Sequence, residues 1–424
     1  MRSSFVTIAL SVALGAAAHA ADDPVRVLDE RATAAYKAKD YAAFLKLSRA
    51  LQEAIPWSLR ARYNLACGYA LTGAPAEALA ALEGIAAREV AMDVGADDDL
   101  ASLRALPAFK ALQERMKSFA SPVGEAAVAF TLAERDLITE GVAHDPKTGA
   151  FFVTSVRHRK IVRRAADGSV KDFTAEAQDG LLSVVTPAVD AARRALWAST
   201  AASVHMTGFR KEDEGRSFLV EYDVDTGRLR RTVPPPAGAR LSDIALLDGG
   251  DVVASDPHAG GVYVLDAKTG AWRTLVASGA AIRSPQGIAP AADGRSIYVA
   301  DYARSVARIA LADGAVRWLE TPANLATTGI DGLSLAGGWL IAIQNGVAPQ
   351  RVVGWRLDAS GDRVVSSRTL VRGHAAFDEP TLGTVVGQDF VFVASSQYGA
   401  FRPDHSLDAS RLREPTILRT PLPR

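Results

Sequence analysis

The chain of 424 residues reads as a multidomain protein, α-helical repeats followed by an all-β six-bladed β-propeller. Three observations predict this. The apolar period changes from helical to alternating near residue 120. One strand–turn–strand motif recurs through the rest of the sequence at spacings of 43 to 58 residues. The breaks between its runs are D-G, K-T-G and D-T-G, the turn chemistry of antiparallel hairpins.

The first stretch is a secretory signal by pattern. Arg2 supplies the charge, Phe5 to Ala17 a short apolar run, and Ala18-His19-Ala20 a small-residue cleavage site. The run is too short to anchor the chain in a bilayer, and no later stretch reaches that length. The expected divisions are a signal peptide at 1–20, a helical domain at 21–120 and the propeller at 121–424, with the mature protein periplasmic or secreted.

In the helical part, "YAAFLKLSRALQEAI" places Tyr41, Phe44, Leu45, Leu47, Leu51 and Ile55 mostly on one face, and "SLRARYNLACGYALTG" does the same. Tyr36 and Tyr69 correspond at an offset of 33 residues. A helix–turn–helix period of that size resembles the tetratricopeptide repeat, over roughly residues 25 to 92. "DLASLRALPAFKALQERMKSF" follows as a closing helix, expected to cover apolar faces that two repeats leave bare. The group is either a partner-docking groove or a cap on the propeller. Cys67 is the only cysteine, so no intrachain disulfide forms, and its place on an apolar stripe suits a packed thiol.

From Ala126 the motif starts are Glu140, Val185, Asp243, Gln286, Asp331 and Glu379. Six units of four short strands at this spacing predict six blades. The last blade is one strand short unless "TILRT" serves, with "AVAFTLA" at Ala127 to Ala133 pairing beside it to close the ring and hide the sheet edges.

In a propeller the first strand of each blade lines the central channel, and its start shares a face with the end of the second strand. The starts therefore form a ring, to which Ser155, Asp256, Asp301, Asn345 and Gln397 are added from the second-strand ends. Carboxylates crowded at one mouth repel unless a cation intervenes. Hard oxygen donors suit calcium, magnesium or manganese. The same polar residues could equally bond backbone between blades around a water-filled channel.

"EGVAHDPKTGAFFVTS" and "IDGLSL" make residues 126 to 424 similar to the regucalcin/gluconolactonase propellers, and "PQGIAPAADGRSIYVADYARSVARI" is similar to NHL-type repeats as well. The first resemblance implies a divalent-metal site at Glu140, Gln286 and Asp331, with Asp331 as general base for hydrolysis of a small lactone or ester. Gln286 stands where the family has asparagine, and Ser242, beside Asp243, where it usually has another. Asp243, Glu379, Arg157, His258 and Asn345 would contact substrate or support the site, and the insertion His205 to Arg216 would be its lid. A metal-free enzyme of strictosidine-synthase type would instead need a base such as Glu379 or His258. The non-enzymatic alternative is a propeller that binds a small molecule or protein, its helices docking a partner.

Lysine plus arginine and aspartate plus glutamate both number 48, so no basic surplus points to nucleic acid. There is no G-x-S-x-G elbow and no phosphate-binding glycine loop. The seven histidines are scattered without zinc-site spacing.

Overall fold

A computed structural model describes residues 24–279 and 281–424; the expected signal peptide lies outside the described residues. Five α-helices come first: α1 (Pro24–Lys37), α2 (Tyr41–Ala54), α3 (Leu59–Leu71), α4 (Pro75–Ala86) and α5 (Pro107–Ser118). Their boundaries are set by side chains. Asp40 accepts from Ala43 N at 3.0 Å and Ser58 from Ala61 N at 3.1 Å, each meeting an amide that a helix start leaves free. Pro75 and Pro107 open α4 and α5, where a missing N–H costs nothing.

The helices share one core around Phe44, Leu51, Leu82 and Ile85. Phe109, Leu112 and Met116 of α5 close it, together with Ala326 and Val347 from the propeller. Cys67 is buried in that core, and burial pushes its thiol up, away from the reactive thiolate. No described helix is long and apolar enough to cross a membrane.

The remaining chain forms six antiparallel sheets, the blades. Their innermost strands are Thr139–Asp145, Ser183–Asp190, Ile244–Leu246, Pro285–Pro290, Ile330–Ala336 and Gly383–Val386. Each blade core is a stack of alternate inward residues, such as Val253, Val264 and Ile297 between the third and fourth blades. Thr416–Pro421 is the third strand of blade 6, and Ala127–Thr131 pairs with it as the outermost, Val128 opposite Leu418. The ring therefore closes as the sequence predicts. Val123–Gly124 adds a fifth strand to the outer edge of blade 5, an addition with no sequence signal.

The helical layer docks on the blade face that carries the inner-strand starts. Ala91 N donates to Ala348 O at 2.7 Å, and Arg372 pairs with Glu89 at 2.7 Å. Arg351, buried, donates to the carbonyls of Arg88 and Glu89. The Arg304 guanidinium lies between two indoles, 4.2 Å from the Trp57 ring centre and 4.0 Å from that of Trp318. Trp57 belongs to the helices and Trp318 to blade 4, so one cation ties the two layers. Arg304→Gln is expected to lower stability by about 1–2 kcal/mol, the sum of two partly buried cation–π contacts. A urea midpoint unchanged from the parent would show that the sandwich contributes nothing.

Candidate functional site

Each inner strand enters the channel at its first residues, and glycine makes the entry tight. In Glu140-Gly141, Gln286-Gly287 and Asp331-Gly332 the glycine lies against the backbone of the next blade. A Cβ at Gly287 would sit 2.5 Å from Asp331 O, and one at Gly332 2.5 Å from Thr381 O. Neighbouring strand starts thus converge closely enough for their side chains to interact.

Four carboxylates gather at this mouth. Burial lifts Glu140 well above the ordinary carboxylate range, and Asp331, Glu379 and Asp243 push it further. Asp331 rises to about 8 through burial first and then the Asp243 charge, with Asn345 opposing. Burial carries Glu379 to about 7 and Asp243 to about 6. No lysine or arginine is among the groups that set these four shifts. Glu140 Oε2 and Asp243 Oδ2 are shut off from solvent and lack a hydrogen-bond partner.

The other atoms of these acids are held in place. Thr186 donates to Asp243 Oδ1 at 2.7 Å. Asn345 Nδ2 donates to Asp331 Oδ2 at 2.6 Å, and the Tyr302 hydroxyl donates to Asn345 Oδ1 at 3.0 Å. The Tyr398 hydroxyl faces Glu140 within hydrogen-bonding reach and is itself pushed up by burial and that carboxylate. Gln286 donates from Nε2 to Ser284 Oγ at 3.3 Å, which leaves its amide oxygen for a ligand. Below the acids the channel holds about 250 Å³, walled by Val142, Thr186, Asp243, Ile288 and Leu333.

Several expected ring members sit elsewhere. Asp256 accepts the amides of Arg240, His258 and Ala259. Asp301 accepts those of Arg283 and Ala303, and Ser155 that of His158. Gln397 donates to the carbonyls of Arg135 and Arg413 and accepts from the Arg413 amide. All four are buried clamps between loops, with Gln344 playing the same part in blade 5. The residue after each clamp is the one that reaches the mouth in blades 4, 5 and 6: Tyr302, Asn345 and Tyr398. Glu379 is also displaced from its expected place. Thr381 takes the blade-start position, its hydroxyl donating to Glu140 O at 2.7 Å. Glu379 arrives two residues earlier from a left-handed turn (φ 64°), its carbonyl pinned by Ser396 Oγ at 2.8 Å.

Arg157 is engaged with Asp136 at 3.3 Å, and His258 is lowered by burial and by Arg240; neither is among the groups that perturb the four acids. Val185 adds no charge to the ring. The His205–Arg216 insertion does reach Tyr398, the residue that faces Glu140. The His205 ring packs 4.3 Å from Phe401 and 5.3 Å from Tyr398, both on the long loop of blade 6. Thr207 then ties the insertion down through Arg157 O and Glu176.

These features define a class: a six-bladed β-propeller with an acidic, oxygen-rich channel mouth, bordered by two inserted loops in contact and flanked by a helical layer. The chain matches no described protein-family profile and no curated protein sequence. Among solved structures it is similar to a PQQ-bound aldose sugar dehydrogenase from Streptomyces coelicolor, 15% identical with a TM-score of 0.50 over 71% of this chain and 98% of that one. It is also similar to a luciferin-regenerating enzyme (15%, TM-score 0.49, covering 71% and 95%). A gluconolactonase from Xanthomonas campestris stands alongside (17%, TM-score 0.48, covering 72% and 93%). At these identities the likeness is one of fold.

Proposed function

We propose that the channel mouth holds a divalent cation and hydrolyses a small lactone or ester. The observation that carries this reading is the ring of four acids with no cationic side chain setting their pKa values and two orphaned carboxylate oxygens. A buried cluster of that kind is strained unless positive charge enters it.

The donors fit in kind, being hard oxygens. They do not form a closed cage: no three of the acids have ligand oxygens all within 4.8 Å of one another. Two ligands of one calcium ion, each about 2.4 Å away, stand at most about 4.8 Å apart. The site would thus be Glu140, Asp331 and the Gln286 oxygen, with remaining positions open to water and substrate, calcium, manganese or magnesium being the suitable ions. Such an ion supplies charge that polarises a carbonyl and acidifies a nearby water.

The protein groups do the rest. Asp331 is the general base, its second oxygen held by Asn345 and that amide by Tyr302, so that the free oxygen keeps a fixed direction. The Tyr398 hydroxyl is a donor for oxygen charge developing beside Glu140. The His205–Phe401 contact borders the mouth beside Tyr398. A cleaved signal peptide would deliver the protein to the periplasm or beyond. The tetratricopeptide-like helices, docked beside the mouth, would orient it toward a protein partner.

Calorimetric titration with calcium and manganese, alongside lactone and aryl-ester hydrolysis, tests the reading. Saturable binding near one equivalent is expected, weakened at least about tenfold in Glu140→Gln and Asp331→Asn, with hydrolysis lost in both. Binding without turnover would leave the non-catalytic binder. No cation binding would sink the proposal.

A further inference from the structure

A second group of metal-ligating side chains lies away from the channel acids, at the foot of the His205–Arg216 loop. Glu134, Asp136 and His158 place one ligand atom each within 4.8 Å of the others. His158 Nε2 is 3.1 Å from Asp136 Oδ2 and 3.6 Å from Glu134 Oε1. Two ligands about 2.1 Å from a tetrahedral zinc ion stand about 3.4 Å apart, between those two values.

The imidazole is arranged as a ligand would be. Nε2 is closed to solvent and makes no hydrogen bond, since Asp136 lies at the right distance but off the line of the ring nitrogen. Glu176 Oε2 stands 3.5 Å from Nδ1, on the opposite edge of the ring. With a metal ion on the Nε2 lone pair, a carboxylate there would take the Nδ1 proton, the usual outer support of a metal-bound histidine. Glu176 also accepts from Thr207 Oγ1 at 2.6 Å, so the same carboxylate stands between the ring and the His205–Arg216 loop.

We infer that His158, Asp136 and Glu134 form a second metal site, for a borderline ion of zinc type, that fixes the anchor of the His205–Arg216 loop. Mixed nitrogen and oxygen donors distinguish it from the all-oxygen channel mouth. Two permanent cations border it and compete with the ion. Lys160 is 2.8 Å from the other oxygen of Glu134, whereas Arg157 Nε donates at 3.3 Å to Asp136 Oδ2, the same oxygen that faces Nε2, and an incoming ion must displace it. The rival arrangement is an ion-pair network completed by a protonated His158, with no metal.

Zinc binding to the full chain, measured by competition with a chromogenic chelator, separates the two. Cobalt serves as the spectroscopic probe of a nitrogen ligand. The site predicts one zinc equivalent that survives Glu140→Gln and is weakened about 100-fold or more in His158→Gln. Glu176→Gln should weaken it by about 10- to 100-fold, because that residue only orients the ring. Should His158→Gln fail to fold, the parent chain still decides: zinc must slow diethylpyrocarbonate modification of His158. Zinc affinity unchanged by His158→Gln, or equal modification of His158 with and without zinc, would overturn the inference.

Discussion

Metal-free Asp331→Asn protein is expected to be more stable than its parent at pH 9 and no different near pH 4. Asp331 has an ordinary value of 3.8 and is raised to about 8 in the folded chain, so the folded form binds its proton more tightly than the unfolded form. Between those two pH values the unfolded chain has released a proton that the folded one retains. Stability therefore falls as pH rises through the window and levels off above pH 8. Glu379, raised from 4.5 to about 7, and Asp243, raised from 3.8 to about 6, add slopes of the same sign over narrower windows. Asparagine removes the Asp331 contribution. Because water reaches the mouth, the gain expected at pH 9 is about 2 kcal/mol, roughly 5 °C in melting temperature. Saturating calcium should flatten the parent's slope by giving the charged forms a partner. Thermal melts in chelator from pH 5 to 9 check this; a parent curve without decline would mean that the acids do not feel one another.

The second large effect is expected at a residue with no side chain. In Gly287→Ala the new methyl would meet Asp331 O and Leu333 N, both at 2.5 Å, and Gly332 C at 2.9 Å. All three are backbone atoms, so no side chain can swing aside, and blades 4 and 5 must part instead. A loss of about 3 kcal/mol is expected, the upper end for overpacking a rigid contact. Since the atom displaced is the carbonyl of Asp331, cation affinity should fall along with stability. Gly249→Ala, where a Cβ would meet nothing within 4 Å, is the matched control and should be near neutral. Equal urea midpoints for the two variants would mean that the blades adjust freely, against the tight entry described for this strand.

The blades were legible because each is a local hairpin series with its own turns. Even ring closure by Ala127–Thr131 against Thr416–Pro421 followed from a missing strand and a spare one. The mouth was legible only in part. At the strand starts, glycine after Glu140, Gln286 and Asp331 marked the register. Glu379 is followed by proline, so its place was set by spacing alone and came out two residues early. At the second-strand ends the error was a single residue, which in a strand exchanges the two faces. Asp256 and Asp301 look like better ligands than the residues after them, yet their carboxylates are used up on loop amides. Tyr302 and Tyr398 could have been found by reading one position beyond each polar clamp, in "VADY" and "SSQY". The Glu134–Asp136–His158 group had no spacing motif, because its geometry depends on a loop and a hairpin turn meeting in space.

The way the ring shuts bears on the order in which the molecule can assemble. Thr420 donates to the carbonyl of Glu125, 295 positions away, and the outer strand of blade 6 precedes every blade strand but Val123–Gly124 in the chain. That early strand has no partner until the last blade exists, and Val128, half-exposed even in the finished fold, is part of the edge it presents meanwhile. Its neighbour Val123–Gly124 must likewise wait for blade 5. Contacts of such sequence separation are slow to form. A nascent chain would therefore carry a competent but unpaired strand through most of its synthesis, exposed to wrong pairings and to holding proteins. The helical layer, complete well before any blade, is the first part able to fold while that strand waits.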